Sequence, residues 1–167
     1  MNSKTKIFIT GGTFDKEYNE LTGELYFNYT HMHELLKLGR CKVDIDIETI
    51  MMVDSLDMTK AQRNTIVRKC MEEPLKTIII THGTDTMVKT AYALAENIND
   101  KTIILTGAMI PFKFGSSDGL FNMGSALAYA QALNKGIYIA MNGQIFNYKN
   151  VKKNTDLGVF EELELSL

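Results

Sequence analysis

The 167-residue sequence predicts one α/β domain in three layers: a mainly parallel sheet with helices on both faces, Rossmann-like in its layering. Three observations carry that expectation. Short apolar runs alternate with helical patterns along the whole chain. Three of those runs end alike, in a threonine followed by a Gly-containing or Gly/Ala bend. No linker, low-complexity tract or long charge run divides the chain, so residues 1–167 are expected to form a single domain.

The elements follow in order. The runs "KIFIT" (6–10), "KVDIDIE" (42–48), "TIIIT" (77–81), "TIILT" (102–106) and "IYIAM" (137–141) are short and β-branched, and predict strands. Between the first two, His31 to Leu38 predicts a short helix closed by Gly39. Lys60 to Glu72 predicts the next, entered through Asp57-Met58-Thr59 as its N-cap region, with Ala61, Ile66, Val67 and Cys70 on one side. Thr86 to Asn97 is rich in Ala and Leu. Ser117-Asp118 is expected to cap a last helix through Leu133, with Gly136 as its stop. Pro74 precedes a strand and Pro111 follows one, so neither interrupts an element.

Composition narrows the partners. A net charge of −2 offers no basic surface for nucleic acid or an anionic membrane. No apolar run approaches the ~20 residues that cross a bilayer. The polar opening Met1 to Lys6 carries no secretory or transit pattern. Cys41 and Cys70 form no C-x-x-C pair; Cys70 reads as a small core residue, and Cys41 stands between Arg40 and Lys42. A reduced, cytoplasmic protein is expected.

The three matching strand ends, "IFITGGTF", "IIITHGTDT" and "IILTGAMIP", point to a small-molecule site. In an open α/β sheet, ligands bind in the crevice outside the carboxyl ends of the strands. Parallel strands would bring all three bends to that edge, and glycine lets backbone N–H groups approach a ligand. Neither G-x-G-x-x-G nor G-x-x-x-x-G-K-[ST] occurs, so dinucleotide and P-loop readings lack their fingerprints. The bends offer hydroxyls instead: Thr13, Thr84 and Thr86, with Asp85 beside Thr84. A threonine hydroxyl attacks only once a base takes its proton. Candidates for that base are His82, at a position where histidine is more often structural, or a lysine oriented by a carboxylate. His31 and His33 lie two residues apart, on different faces of a helix, and no cysteine or H-E-x-x-H ligand spacing appears. No metal and no cofactor are expected.

Five segments, in this order, "ITGGTFDKEY" (9–18), "DSLDMT" (54–59), "THGTDTM" (81–87), "TGAMIP" (106–111) and "NVKKNT" (150–155), resemble the motifs of the bacterial-type L-asparaginases. T-G-G-T alone is weak; joined to T-H-G-T-D-T it is specific. The chain is similar to the N-terminal, active-site domain of that family and looks most like its short, single-domain members. The resemblance implies the asparaginase N-terminal-domain fold, a cofactor-free amidohydrolase and a hydroxyl nucleophile at Thr13. It implies Tyr18 as the residue polarising that hydroxyl, with Tyr26 at the spacing of some longer members. Thr84, Asp85 and Lys153 match the threonine, aspartate and lysine of the second group. Ser55 matches a position that binds the amino-acid end of the substrate, which Gly12, Gly83, Thr84 and Asp85 also line.

Amide hydrolysis passes through a tetrahedral oxyanion that N–H groups and hydroxyls can stabilise. Asp85 can orient Lys153, which can take a proton from Thr84 or a water. Full-length members add a C-terminal domain and complete the substrate site with an acid from a neighbouring subunit. No C-terminal domain is expected here, which leaves Glu161, Glu162 or Glu164 of another subunit as candidates for that acid, and a homo-oligomer as the expected assembly. The expected activity is hydrolysis of L-asparagine to L-aspartate and ammonia. The alternatives are an amidase preferring glutamine or another amide, or a catalytically weak asparagine- or aspartate-binding module.

Overall fold

A computed structural model describes residues 4–163. The first strand, β1 (Thr5–Gly11), ends in a short 3-10 turn at Thr13–Asp15 and leads into a two-stranded hairpin, β2 (Lys16–Asn19) and β3 (Glu24–Phe27). Helix α1 (Met32–Leu38), strand β4 (Ile45–Val53), helix α2 (Lys60–Glu72), strand β5 (Thr77–Thr81) and helix α3 (Met87–Ala95) follow. Then come β6 (Thr102–Thr106), α4 (Gly119–Ala132), β7 (Gly136–Met141), β8 (Gln144–Asn147), and a second hairpin of β9 (Lys152–Asn154) and β10 (Val159–Glu161).

Six strands make the main sheet, in the order β4-β1-β5-β6-β7-β8, parallel except for β8. This is the expected α/β architecture. From β1 the chain moves outward to β4, then returns to the other side of β1 at β5. The carboxyl ends of β1 and β5 therefore flank the point where the winding reverses, which is where open α/β sheets form a crevice.

Alternation explains the two cores. Phe8, Ile78, Ile80, Ile103, Leu105, Ile137 and Ile139 face α2 and α3, meeting Ile66, Val67, Cys70, Met87, Ala91 and Leu94. Ile7, Ile9, Ile79, Ile104 and Ala140 face the other way, onto Met32 and Leu35 of α1 and Met123, Ala126 and Ala130 of α4. A strand buried on both faces must be apolar throughout, which is why "TIIIT" and "TIILT" show no polar alternation. Burial pushes the Cys70 thiol up to about 12, so it is an inert core group.

Several boundaries differ from expectation. β4 runs over Ile45–Val53 rather than 42–48, because its ends are set by pairing: Thr5 opposes Ile45 and Gly11 opposes Val53, with a bulge between Ile9 and Gly11. Thr59 is the N-cap of α2 in a full capping box with Gln62, an arrangement that contributes about 1 kcal/mol. Helix α4 closes at Leu133, whose extended backbone ends it; Gly136 is already the first residue of β7. Asp118 precedes α4 but accepts no helical N–H. Its carboxylate takes the backbone N–H groups of Met109 and Ile110, each at 3.0 Å, and so fixes the loop after β6.

Candidate active site

Five loop segments meet beyond the carboxyl ends of the sheet, and glycine determines how closely. Gly12 has φ +81°, and a Cβ there would lie 2.4 Å from the backbone nitrogen of Gly83. A Cβ on Gly83 would in turn lie 2.5 Å from Cβ and Oγ of Ser55. The loops after β1, β5 and β4 are thus stacked backbone to backbone, and no larger residue fits at either glycine without moving a loop. The Gly12 N–H donates to Val53 O at 3.0 Å, which ties the first loop to the third.

The threonines divide into two groups. Thr10 and Thr106, inside the strand ends, are buried and donate to carbonyls of adjacent strands, Thr81 O at 2.7 Å and Ala140 O at 2.8 Å. They hold the sheet edge together. Thr13 and Thr84 lie beyond the edge. Thr13 opens the 3-10 turn after Gly12 and is partly exposed; its hydroxyl makes no hydrogen bond among the described residues. Thr84 is buried and accepts a hydrogen bond from Lys153 Nζ at 2.8 Å.

Lys153 comes from β9, where it pairs with Phe160 in the second hairpin. Its ammonium also donates to Asp85 Oδ1 at 2.8 Å, so one lysine spans the hydroxyl and carboxylate of neighbouring residues. The Lys153 side chain is 11% exposed, whereas Lys152 points to a half-exposed pairing with Glu161 at 3.3 Å. The hairpin is held from below by Asn142, whose Oδ1 accepts the Phe160 N–H at 2.8 Å while its own N–H donates to Asn122 Oδ1 at 3.0 Å. Asn122, buried on α4, also donates to Gly107 O and to Asp118. Asn122 and Asn142 were not singled out in the sequence; Asp118 and Asn122, four apart on one helix face, were the available signal.

Ser55 is buried, and its Oγ accepts the Thr86 N–H at 3.3 Å while its carbonyl accepts the Thr86 hydroxyl at 2.8 Å. The residue before it, Asp54, pairs with Lys16 at the root of the first hairpin. Burial alone would raise the Asp54 carboxyl, but Lys16 and the Leu56 N–H more than offset it and hold it below the usual carboxylate range.

His82 is buried beneath the loop, not directed into the crevice. Its Nδ1 lies 2.7 Å from Gly83 O and its Nε2 2.8 Å from the Thr90 hydroxyl. Burial pulls its pKa down to about 4. It is a structural histidine, and of the two expected kinds of base only a lysine reaches a site threonine.

The tyrosines occupy the first hairpin. Tyr18 on β2 is 53% exposed, and its hydroxyl lies 4.0 Å from where a Gly23 Cβ would stand. Tyr26 opposes Glu17 on β3 and donates to its Oε2 at 3.0 Å. Neither hydroxyl hydrogen-bonds Thr13 in this arrangement. Of the expected acids, Glu161 is held by Lys152 and Asn154, Glu162 is exposed, and Glu164 lies outside the described residues. Among the described residues, no group of three or more His, Cys, Asp or Glu side chains could hold a metal ion, and no helix is long and apolar enough to cross a membrane.

Comparison with known proteins agrees with this geometry. The profile of the asparaginase N-terminal family matches residues 4–161. L-asparaginase 2 of Escherichia coli K12 is 34% identical over 124 residues, 70% of this chain and 36% of its own length. The glutaminase-asparaginase of Acinetobacter glutaminasificans is 40% identical over 100 residues, 58% of this chain and 29% of its own. The crystal structure of the probable cytoplasmic L-asparaginase from Campylobacter jejuni superposes with a TM-score of 0.82 at 31% identity, covering 98% of this chain and 54% of that one. The chain thus spans about a third of the length of the first two relatives. Five interlocked loops, one α/β sheet and a match across nearly all described residues lead to one conclusion: this chain belongs to the asparaginase family, at its N-terminal domain.

Proposed function

We propose that this chain is an asparaginase-type amidohydrolase that converts L-asparagine to L-aspartate and ammonia without a cofactor. The observation that carries the reading is Lys153, 2.8 Å from both the Thr84 hydroxyl and the Asp85 carboxylate, beside a loop that presents an unbonded threonine hydroxyl. Thr13 Oγ attacks the side-chain amide carbon, polarised by Tyr18, or by Tyr26 if that residue swings over the crevice. Hydroxyls and backbone N–H groups at the crevice stabilise the oxyanion. The amide C–N bond breaks, and the nitrogen leaves as ammonia carrying the proton that Thr13 gave up. Water then attacks the Thr13 ester, its proton passing to Thr84 and on to Lys153 as the unprotonated amine, which Asp85 orients, before the proton returns to the departing Thr13 oxygen. Aspartate is released and the Thr13 hydroxyl is restored.

Ser55, Thr84 and Asp85 are assigned to the amino-acid end of the substrate together with Gly12 and Gly83, whose missing Cβ atoms let these loops pack against one another. The acid that meets the substrate ammonium is assigned to a second protein chain, which makes the functional unit a homo-oligomer built on this N-terminal-type domain. Glu162, unpaired with any cation among the described residues, is a better candidate for that acid than Glu161, which Lys152 already holds. The two free cysteines, neither within a disulfide, fit the reducing cytoplasm.

Ammonia release from asparagine and glutamine, measured side by side, tests the assignment, together with calorimetry of aspartate binding. Faster release from asparagine supports it. Preference for glutamine favours a second reading, consistent with the glutaminase-asparaginase relative; one methylene is worth only ~1–3 kcal/mol of discrimination. Heat of binding without ammonia would make the chain an amino-acid-binding module.

A further inference from the structure

Arg63, on α2, is a partly buried cation with no carboxylate within ion-pair distance among the described residues. Its guanidinium instead donates to two hydroxyls on the first turns of α3: Nε to Thr90 Oγ1 at 2.9 Å and Nη2 to Thr86 Oγ1 at 3.1 Å. Burial pulls its pKa below the ordinary arginine value, and the structure compensates with neutral acceptors only. A desolvated guanidinium is costly, so what it holds is informative.

Donor and acceptor counting orders every proton behind it. Gly83 O can only accept, so His82 Nδ1, 2.7 Å away, carries the ring proton. The ring is neutral, which leaves Nε2 bare, and the Thr90 hydroxyl that accepts from Arg63 donates its own proton to it at 2.8 Å. Similarly, Thr86 Oγ1 accepts from Arg63 and gives its proton to Ser55 O at 2.8 Å. Two one-way relays leave one guanidinium. One ends on the carbonyl directly before Thr84, the other on Ser55, and the two ends touch, since a Gly83 Cβ would lie 2.5 Å from Ser55.

We propose that Arg63 is a positioning residue for the asparaginase site, setting through Thr90–His82 and through Thr86 the placement of the Thr84–Asp85 backbone and of Ser55. The inference rests on the proposed activity for its kinetic consequence, but its hydrogen-bond order does not depend on turnover. Arg63 touches neither Thr13 nor Lys153. A displacement of the order of 1 Å at a catalytic group costs up to ~100-fold in rate, so loss of the relay is expected to lower kcat/KM for asparagine roughly 10- to 100-fold.

The test uses the full chain and three variants: Arg63→Met, Thr90→Val and Thr90→Ser, with the Arg63→Met/Thr90→Val double variant. Nitrogen-15 spectra of the wild-type imidazoles should show His82 as the Nδ1–H tautomer. In Arg63→Met that resonance should shift and the His82 pKa should rise, since the neighbouring positive charge that depresses it is gone. Arg63→Met and Thr90→Val should each lose activity, the double variant should lose little more than Arg63→Met alone, and Thr90→Ser should retain it, since the Thr90 arm lies downstream of Arg63. An Nε2–H tautomer in the wild type would overturn the relay whether or not the protein turns over asparagine, whereas an Nδ1–H tautomer without turnover would overturn the proposed activity alone. Folded Arg63→Met with wild-type kcat/KM and an unmoved His82 resonance would overturn the positioning role, as would fully additive losses in the double variant.

Discussion

Asp15 should make the protein less stable at neutral pH than its amide counterpart. The residue closes the 3-10 turn that begins at Thr13 and has no solvent exposure. Its carboxylate accepts the His31 N–H at 2.8 Å and lies 3.1 Å from the Thr30 hydroxyl. Burial nevertheless dominates and pushes its pKa up to about 6 from an ordinary 3.8, against the pull of those two donors. The folded protein therefore binds the Asp15 proton more tightly than the unfolded chain. The stability this contributes is fully present below pH ~4 and is lost as pH rises through about 6. At ~1.4 kcal/mol per pH unit, keeping Asp15 ionised at pH 8 costs up to ~3 kcal/mol.

Asp15→Asn removes the charge and keeps an acceptor for His31 and a donor for the Thr30 oxygen. Urea unfolding of both proteins from pH 4 to pH 8 isolates the effect, because other titrating groups cancel in the difference. The variant should be nearly equal to wild type at pH 4 and progressively more stable above it, by up to ~3 kcal/mol at pH 8. A difference that stays flat across that range would refute the reasoning. So would a variant that is less stable at pH 8, since the two hydrogen bonds would then outweigh desolvation.

Other perturbations probe the crevice directly. Lys153→Met should leave the far-UV circular dichroism unchanged and lower kcat for asparagine at least ~100-fold, as expected for loss of a proton-transfer group. Gly83→Ala places a Cβ 2.5 Å from Ser55 and should cost about 1–3 kcal/mol in urea unfolding as well as activity. Tyr18→Phe and Tyr26→Phe, compared at saturating asparagine, should separate the two: a large kcat loss is expected in Tyr18→Phe, while Tyr26→Phe only frees Glu17.

How much of this could be read in advance depended on how local the signal was. Strands β5 and β6 are buried on both faces, so their apolar runs show in the sequence residue for residue. β4 lies at the sheet edge, and its ends depend on the bulged pairing with β1, which no local pattern carries. The two hairpins leave no mark in the sequence because their strands are only three or four residues long, too short to show alternation, and the first strand of each, KEYN and KKN, is largely polar. β8 did have a signal: Asn142-Gly143, with φ +57° and +75°, is the two-residue turn that pairs antiparallel strands. In the site, only the resemblance to the asparaginase motifs linked Lys153 to Thr84 and Asp85, which lie 69 and 68 residues away in the chain. Arg63 and Thr90 carried no such mark, because a relay through hydroxyls becomes visible only once two helices are packed together. Asp118 looked like a helix cap by position, but its partners lie in a loop that the chain reaches only after folding.

In the proposed reaction, Thr13 and the Thr84–Asp85–Lys153 group act together on an asparagine amide. Ammonia release from L-asparagine by purified wild type, Thr13→Ala and Thr84→Ala, each first shown to be folded, tests it most directly. Wild type should release ammonia measurably, and each variant should lose at least ~100-fold. Turnover undiminished in both variants would contradict it.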